Sequence, residues 1–282
     1  MNEERHDREN RVRAHYDEPP ELFACFLDPD MHYSTGFFME PNASLSDAQA
    51  VKVARYTQWM GVREAGTYLD VGSGWGALAV AWAKVPHVRV TGLTLSPHQA
   101  AYAIGRSERA GVADRTQFLI QPFLDRSPEP DHYDGISFIG SIAHMQEREA
   151  VWQSVAAALR PGGRAVVSDT YRPHAHSAGL EDRSARFVLE GTFGFGHAIP
   201  LSEELRAMED AGLRVLYVEE SSAHYVRTLD AWLERLRGGK ERVEAIRPGA
   251  YRSLRAYLQM SRLSFRRDTM RQYEIVAERP GG

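Results

Sequence analysis

Short apolar runs alternate with longer amphipathic segments along most of the chain. Tyr68 to Val71 predicts a buried strand, and Val88 to Leu93, Arg115 to Ile120, Tyr133 to Ile139 and Arg164 to Thr170 predict four more. Between them lie an apolar helix after a glycine turn, a helix over Pro97 to Ala110, and a helix over Glu147 to Leu159 closed by Pro161-Gly162-Gly163. An insertion over 172–203 follows, then a helix near Glu203 to Ala211, a strand near Leu213 to Glu220, two helices between Tyr225 and Phe265, and a last strand at Gln272 to Glu278. This alternation predicts an α/β fold: a doubly wound, mostly parallel, Rossmann-like sheet of seven strands with a helical cap. The expected division is a single domain over 1–282, with an N-terminal helical cap (1–60), a cofactor-binding core (61–171) and a cap or lid (172–203 and 222–268). Ligands of such sheets lie beyond the C-terminal strand ends, which places Gly72 to Gly76, Thr94, Phe123, His144 and Asp169 to Tyr171 on one rim.

The turn after the first strand carries the first chemical signal. Gly72, Gly74 and Gly76 allow a ligand to lie against bare backbone at the start of a helix. Asp70 precedes a G-x-G-x-G spacing, tighter than the G-x-G-x-x-G of dinucleotide folds, and no Lys-Ser/Thr pair follows to grip phosphates. An acid at that point suits a cationic part of the ligand. The turn resembles motif I of the S-adenosylmethionine-dependent methyltransferases, where it cradles the methionine moiety.

Further segments resemble one family, the cyclopropane fatty acid synthase-like methyltransferases. These are His15-Tyr16-Asp17, Glu21 to Pro29, Tyr33-Ser34, Ser44 to Gln49, Gly92 to Ser96 with Gln99, and His224-Tyr225 with Thr228-Leu229 and Trp232. The resemblance implies S-adenosyl-L-methionine as cofactor and a class I methyltransferase fold. It implies that Leu93-Thr94-Leu95 stands where most methyltransferases have an acid for the ribose, leaving Thr94 and Gln99 to meet the hydroxyls; the alternative is that they only cap the next helix. It also implies Phe123 near the adenine, with Asp125 or backbone at its amino group, and Tyr33 and Ser34 closing over the methionine end.

Composition narrows the partners. A net charge of −4 over 282 residues, with charges mixed along the chain, lacks the basic excess of a nucleic-acid binder. One cysteine, a charged start and no long apolar run predict a cytoplasmic enzyme with neither internal disulfide nor membrane insertion. Oligomeric state is not legible. Cys25 reads as packing beside Phe23 and Phe26 rather than as a nucleophile, and His174-Ala175-His176 falls short of a metal ligand set.

Methyl transfer asks for alignment and, for a proton-bearing acceptor, a base. Cyclopropane synthases lose a proton from a carbocation, and the family supplies the base as bound bicarbonate. Here the resemblance puts Ala143 in place of a glutamate, Ser168 in place of a histidine and Ser261 in place of a cysteine, so that only His144 and Tyr225 remain of that anion site. Cyclopropanation is therefore not expected, nor the Glu-His mechanism of the related plant alkaloid N-methyltransferases. His144 is the expected base, since neutral imidazole accepts protons near neutral pH, with Tyr225 and Tyr33 orienting the reactants. Substrate contacts are expected from Tyr16, Tyr171, Glu190, Phe195, His197 and Tyr225. Phe187 and Phe193 belong to the same aromatic cover, and Phe37, Phe38, Trp232, Met260 and Phe265 are expected as apolar walls. Such walls suit a small hydrophobic secondary metabolite, methylated on oxygen or nitrogen, with carbon as a further option. The alternatives are a cyclase or rearrangement enzyme that keeps the cofactor unreacted, and a non-catalytic binding protein.

Overall fold

The computed structural model describes residues 2–125, 129–173 and 198–281. The N-terminal part holds α1 (Asn2–Tyr16), α2 (Pro20–Ala24) and α3 (Leu45–Met60). A reciprocal pair opens α3, with Ser44 Oγ accepting from Asp47 N and the Asp47 carboxylate accepting from Ser44 N, and Gly61 closes it in the left-handed conformation. The core then runs β1 (Thr67–Val71), α4 (Ala77–Ala83), β2 (Arg89–Thr94), α5 (Pro97–Arg109), β3 (Thr116–Ile120), β4 (Tyr133–Ile139), α6 (Arg148–Ala158) and β5 (Leu159–Tyr171). After it come α7 (Leu201–Asp210), β6 (Arg214–Glu220), α8 (Ser222–Gly238), α9 (Lys240–Ile246), α10 (Ala250–Arg266) and β7 (Arg271–Glu278).

The strands form one seven-stranded sheet in the order β3-β2-β1-β4-β5-β7-β6, with β1 to β5 parallel and β7 antiparallel to both its neighbours. Chain order reverses at β1, which pairs with β2 on one side and β4 on the other, so a crevice opens beyond Val71. Strands buried on both faces read as continuous apolar runs, as the fully buried Leu69, Ile136, Phe138, Val166 and Val167 do. A separate apolar cluster joins α2 to α8 and α10 through Phe23, Phe26, Trp232 and Leu258.

Three elements depart from expectation by more than a residue at an end. The fifth strand begins at Leu159 rather than Arg164: Gly162 N donates to Arg279 O at 2.8 Å and Arg279 N to Gly163 O at 2.9 Å, so the end of the chain pairs with the Pro-Gly-Gly run and keeps it in the sheet. Three helices, not two, lie between β6 and β7, because the chain turns at Gly239. The helix after the insertion starts at Leu201, just beyond the bridge from Arg172 to Pro200. The expected aromatic cover at Phe187, Phe193 and Phe195, with Glu190, His197, His174 and His176, lies outside the described residues. Among those described, no helix is long and apolar enough to cross a membrane.

Candidate active site

The three glycines divide their work. A side chain at Gly72 would meet Ser141 Cβ at 2.5 Å, and one at Gly76 would meet Ala103 Cβ at 2.7 Å, so both are needed for packing as well as for positive φ. Gly76 caps α4 behind the wall of the crevice. Gly74, at φ +51°, has open space where a Cβ would stand, and with Gly72 it faces a cavity lined also by Tyr33, Ser34, Asp70, Thr94, Leu95, Gln99 and Phe123.

The opposite end of that cavity is polar and buried. Thr94 Oγ1 donates to Gln99 Oε1 at 2.7 Å, while the cap of α5 is Ser96, whose Oγ accepts from Gln99 N at 3.1 Å. Phe123 stands edge-on to Phe138 with ring centroids 5.5 Å apart. Asp125 pairs with Arg5 of α1, and Arg8 of the same helix pairs with Glu147, so α1 is strapped across the mouth.

At the end beside the glycine turn, Ser137 Oγ donates to Asp70 Oδ1 at 2.7 Å, yet burial raises the Asp70 carboxyl to about 6. Lys52 of α3, which sequence reasoning missed, is 2% exposed and donates from Nζ to Ser34 Oγ at 2.8 Å; burial lowers its amine to about 7. A signal was present: Leu45, Ala48, Gln49, Lys52, Tyr56 and Met60 form one buried face of α3, and a lysine on such a stripe is unusual.

A second cavity adjoins the first. Tyr16, Tyr33, Ser34, Gly140 and His144 line both, so they mark the junction. There the Tyr16 hydroxyl lies 3.0 Å from His144 Nε2, and burial holds the Tyr16 and Tyr33 hydroxyls protonated by raising both well above the usual phenol range. The second cavity brings Ala143, His144, Ser168, Tyr225 and Ser261 together from the turn after β4, from β5, α8 and α10. Asp169, expected on the rim, and Tyr257, which sequence reasoning missed, also line it. Asp169 Oδ2 accepts from Ala143 N at 3.0 Å and Oδ1 from Thr170 N at 2.7 Å, which pins the turn that carries His144. Among the described lining residues there is no lysine or arginine.

Other expected contacts fall elsewhere. Tyr171 is 1% exposed and lines neither cavity, because its ring belongs to the apolar core with Ile199, Ala207 and Met208 between the sheet and α7. Phe37 and Trp232 are fully buried in packing, and Phe265 is the expected apolar wall that reaches the second cavity. Cys25 packs in the cluster under α8 with its Sγ donating to Glu21 O.

Comparison with known proteins decides the family. Residues 3–275 match the family described as mycolic acid cyclopropane synthetase. The chain belongs to this family. A probable fatty acid methyltransferase from Pseudomonas putida is 28% identical over 98% of the chain and 71% of its own length. Cyclopropane mycolic acid synthase 1 from Mycobacterium tuberculosis is 30% identical over 83% of the chain and 84% of its own length. The crystal structure of a mycolic acid cyclopropane synthase complexed with SAH and CTAB superposes with a TM-score of 0.89 at 24% identity, covering 96% of this chain and 98% of that one. This member of the family is an S-adenosylmethionine-dependent methyltransferase. The crevice fits that cofactor: open space at Gly74, a buried acid at Asp70 and buried polar groups at Thr94 and Gln99 share one cavity with the Phe123 ring.

Proposed function

We propose that the protein methylates an oxygen or nitrogen of a small, mainly apolar acceptor, with His144 as the proton acceptor, and that it does not make cyclopropanes. The observation that carries this reading is the His144–Tyr16 contact at the junction of the two cavities, beside Ala143, Ser168 and Ser261, which supply no carboxylate, imidazole or thiol to hold an anion. Asp169 adds a carboxyl to the same wall, but its oxygens already accept from Ala143 N and Thr170 N.

In this reading Gly72, Gly74, Asp70, Tyr33 and Ser34 hold the methionine end of the cofactor, Thr94, Leu95 and Gln99 the ribose, and Phe123 the adenine. When bound, S-adenosylmethionine supplies a methyl group already activated by the sulfonium. The protein's part is alignment, which contributes up to about 7–11 kcal/mol in favourable cases, and removal of one proton. Tyr33 and Tyr225 orient the acceptor. Tyr16 links the acceptor to His144: its hydroxyl passes its own proton to Nε2 as it receives the acceptor's, and the imidazolium later releases that proton to water. The helices of 1–60 and 222–268 cover the reaction.

Methyl-labelled cofactor incubated with candidate acceptors is expected to yield labelled O- or N-methyl products. His144→Ala should then lower turnover by about 10²–10⁴-fold with unchanged affinity for S-adenosylhomocysteine. Acceptor converted without uptake of label would replace methylation by a cyclase activity, and full turnover in a stably folded His144→Ala would remove the proton acceptor.

A further inference from the structure

An ammonium group taken out of water is costly unless a counter-charge meets it. Lys52 is buried in the wall of the first cavity, and among the described residues it has no carboxylate within ion-pair distance; its hydrogen bond goes to the neutral Ser34 hydroxyl. The acids around it are engaged elsewhere. Asp28 accepts from His32 N and His32 Nδ1, Asp70 from Ser137 Oγ, and Glu274 from Tyr56, Ser168 and Ser221 hydroxyls. These act on Lys52 only at longer range, and burial outweighs them. Ser34 Oγ and Lys52 Nζ therefore stand side by side at 2.8 Å as two donors facing a cavity that also holds a buried carboxyl, Asp70.

We propose that Lys52, with Ser34, binds the α-carboxylate of the cofactor while Asp70 receives its α-ammonium, so that the protein recognises the methionine end as a zwitterion. The inference rests on S-adenosylmethionine as the cofactor and goes beyond it by naming a cationic partner from α3, outside the glycine turn. The incoming carboxylate supplies the charge that the buried amine lacks, and binding restores the proton that burial disfavours.

The test uses S-adenosylhomocysteine and its decarboxylated analogue, with binding read by calorimetry. Wild type is expected to prefer the carboxylated ligand by about tenfold or more. Lys52→Met should lose that preference with unchanged affinity for the decarboxylated analogue, and Lys52→Arg should retain much of it. Equal weakening toward both ligands would make Lys52 a support of cavity shape and overturn the proposal. A second readout needs no variant. At pH 8, with the nearby Asp28, Asp70 and Glu274 ionised and His32 neutral, binding of S-adenosylhomocysteine should take up close to one proton, seen as a buffer-dependent heat, and the decarboxylated analogue should take up far less. Equal uptake by both also overturns it. Failure of wild type to bind either ligand would instead strike at the cofactor assignment itself.

Discussion

Gly72, Gly74 and Gly76 look alike in a sequence motif but differ in what surrounds them. Two are enforced by neighbours, and only Gly74 borders open space. Gly74→Val is therefore expected to fold, at a cost of about 1–2 kcal/mol for a side chain in the left-handed region, and to lose cofactor binding because the added methyls occupy the ligand's place. Melting temperature and calorimetric affinity for S-adenosylhomocysteine, measured together, check this; affinity equal to wild type would show that the ligand does not pass over Gly74. Lys52 makes the complementary point. The residue types of the glycine turn announce a ligand, whereas a single lysine in an amphipathic helix is ordinary until its stripe is seen to be the buried one.

Between elements, the least expected joint is Glu274 in the middle of β7. Its carboxylate accepts from Tyr56 of α3 at 2.9 Å, Ser168 of β5 at 3.1 Å and Ser221 before α8 at 2.8 Å, so one side chain ties α3 to the sheet and to the start of α8. Burial nonetheless raises the group to about 7 from an ordinary 4.5. Between those values the folded chain holds a proton that the unfolded chain has released, so stability falls as pH rises through the window. Glu274→Gln removes this dependence. Relative to the variant, wild type should lose about 3 kcal/mol between pH 4.5 and pH 8, measured as diverging denaturation midpoints; parallel pH profiles would show the carboxylate fully compensated by its donors. The strand itself was legible from its apolar run, but its antiparallel insertion between β5 and β6 was not, since periodicity carries no strand order.

At the scale of the whole molecule, the second cavity exists only because the turn after β4, the end of β5 and helices α8 and α10 converge. Ala143, Ser168 and Ser261 meet there, with no lysine or arginine among the described lining residues. Removal of bicarbonate from the assay is expected to leave turnover with an established acceptor unchanged. A loss that added bicarbonate restores would show that hydroxyls and backbone alone still hold the anion. The same convergence explains why sequence reasoning reached His144 and Tyr225 and put Asp169 on the rim but missed Tyr257 and the bond from Ala143 N to Asp169: these gain meaning only from what stands opposite.

What the chain determines locally could be read from it directly. Strand and helix periods and the glycine turn after Asp70 rest on residues close in sequence, where backbone sterics and side-chain spacing suffice. The contacts that define the site span the chain instead. Tyr16 meets His144 across 128 positions and Tyr56 meets Glu274 across 218. Such pairs depend on how whole elements pack, and so do the depressed amine of Lys52 and the raised carboxyls of Asp70 and Glu274. Burial creates those properties, and burial is decided by the tertiary structure alone.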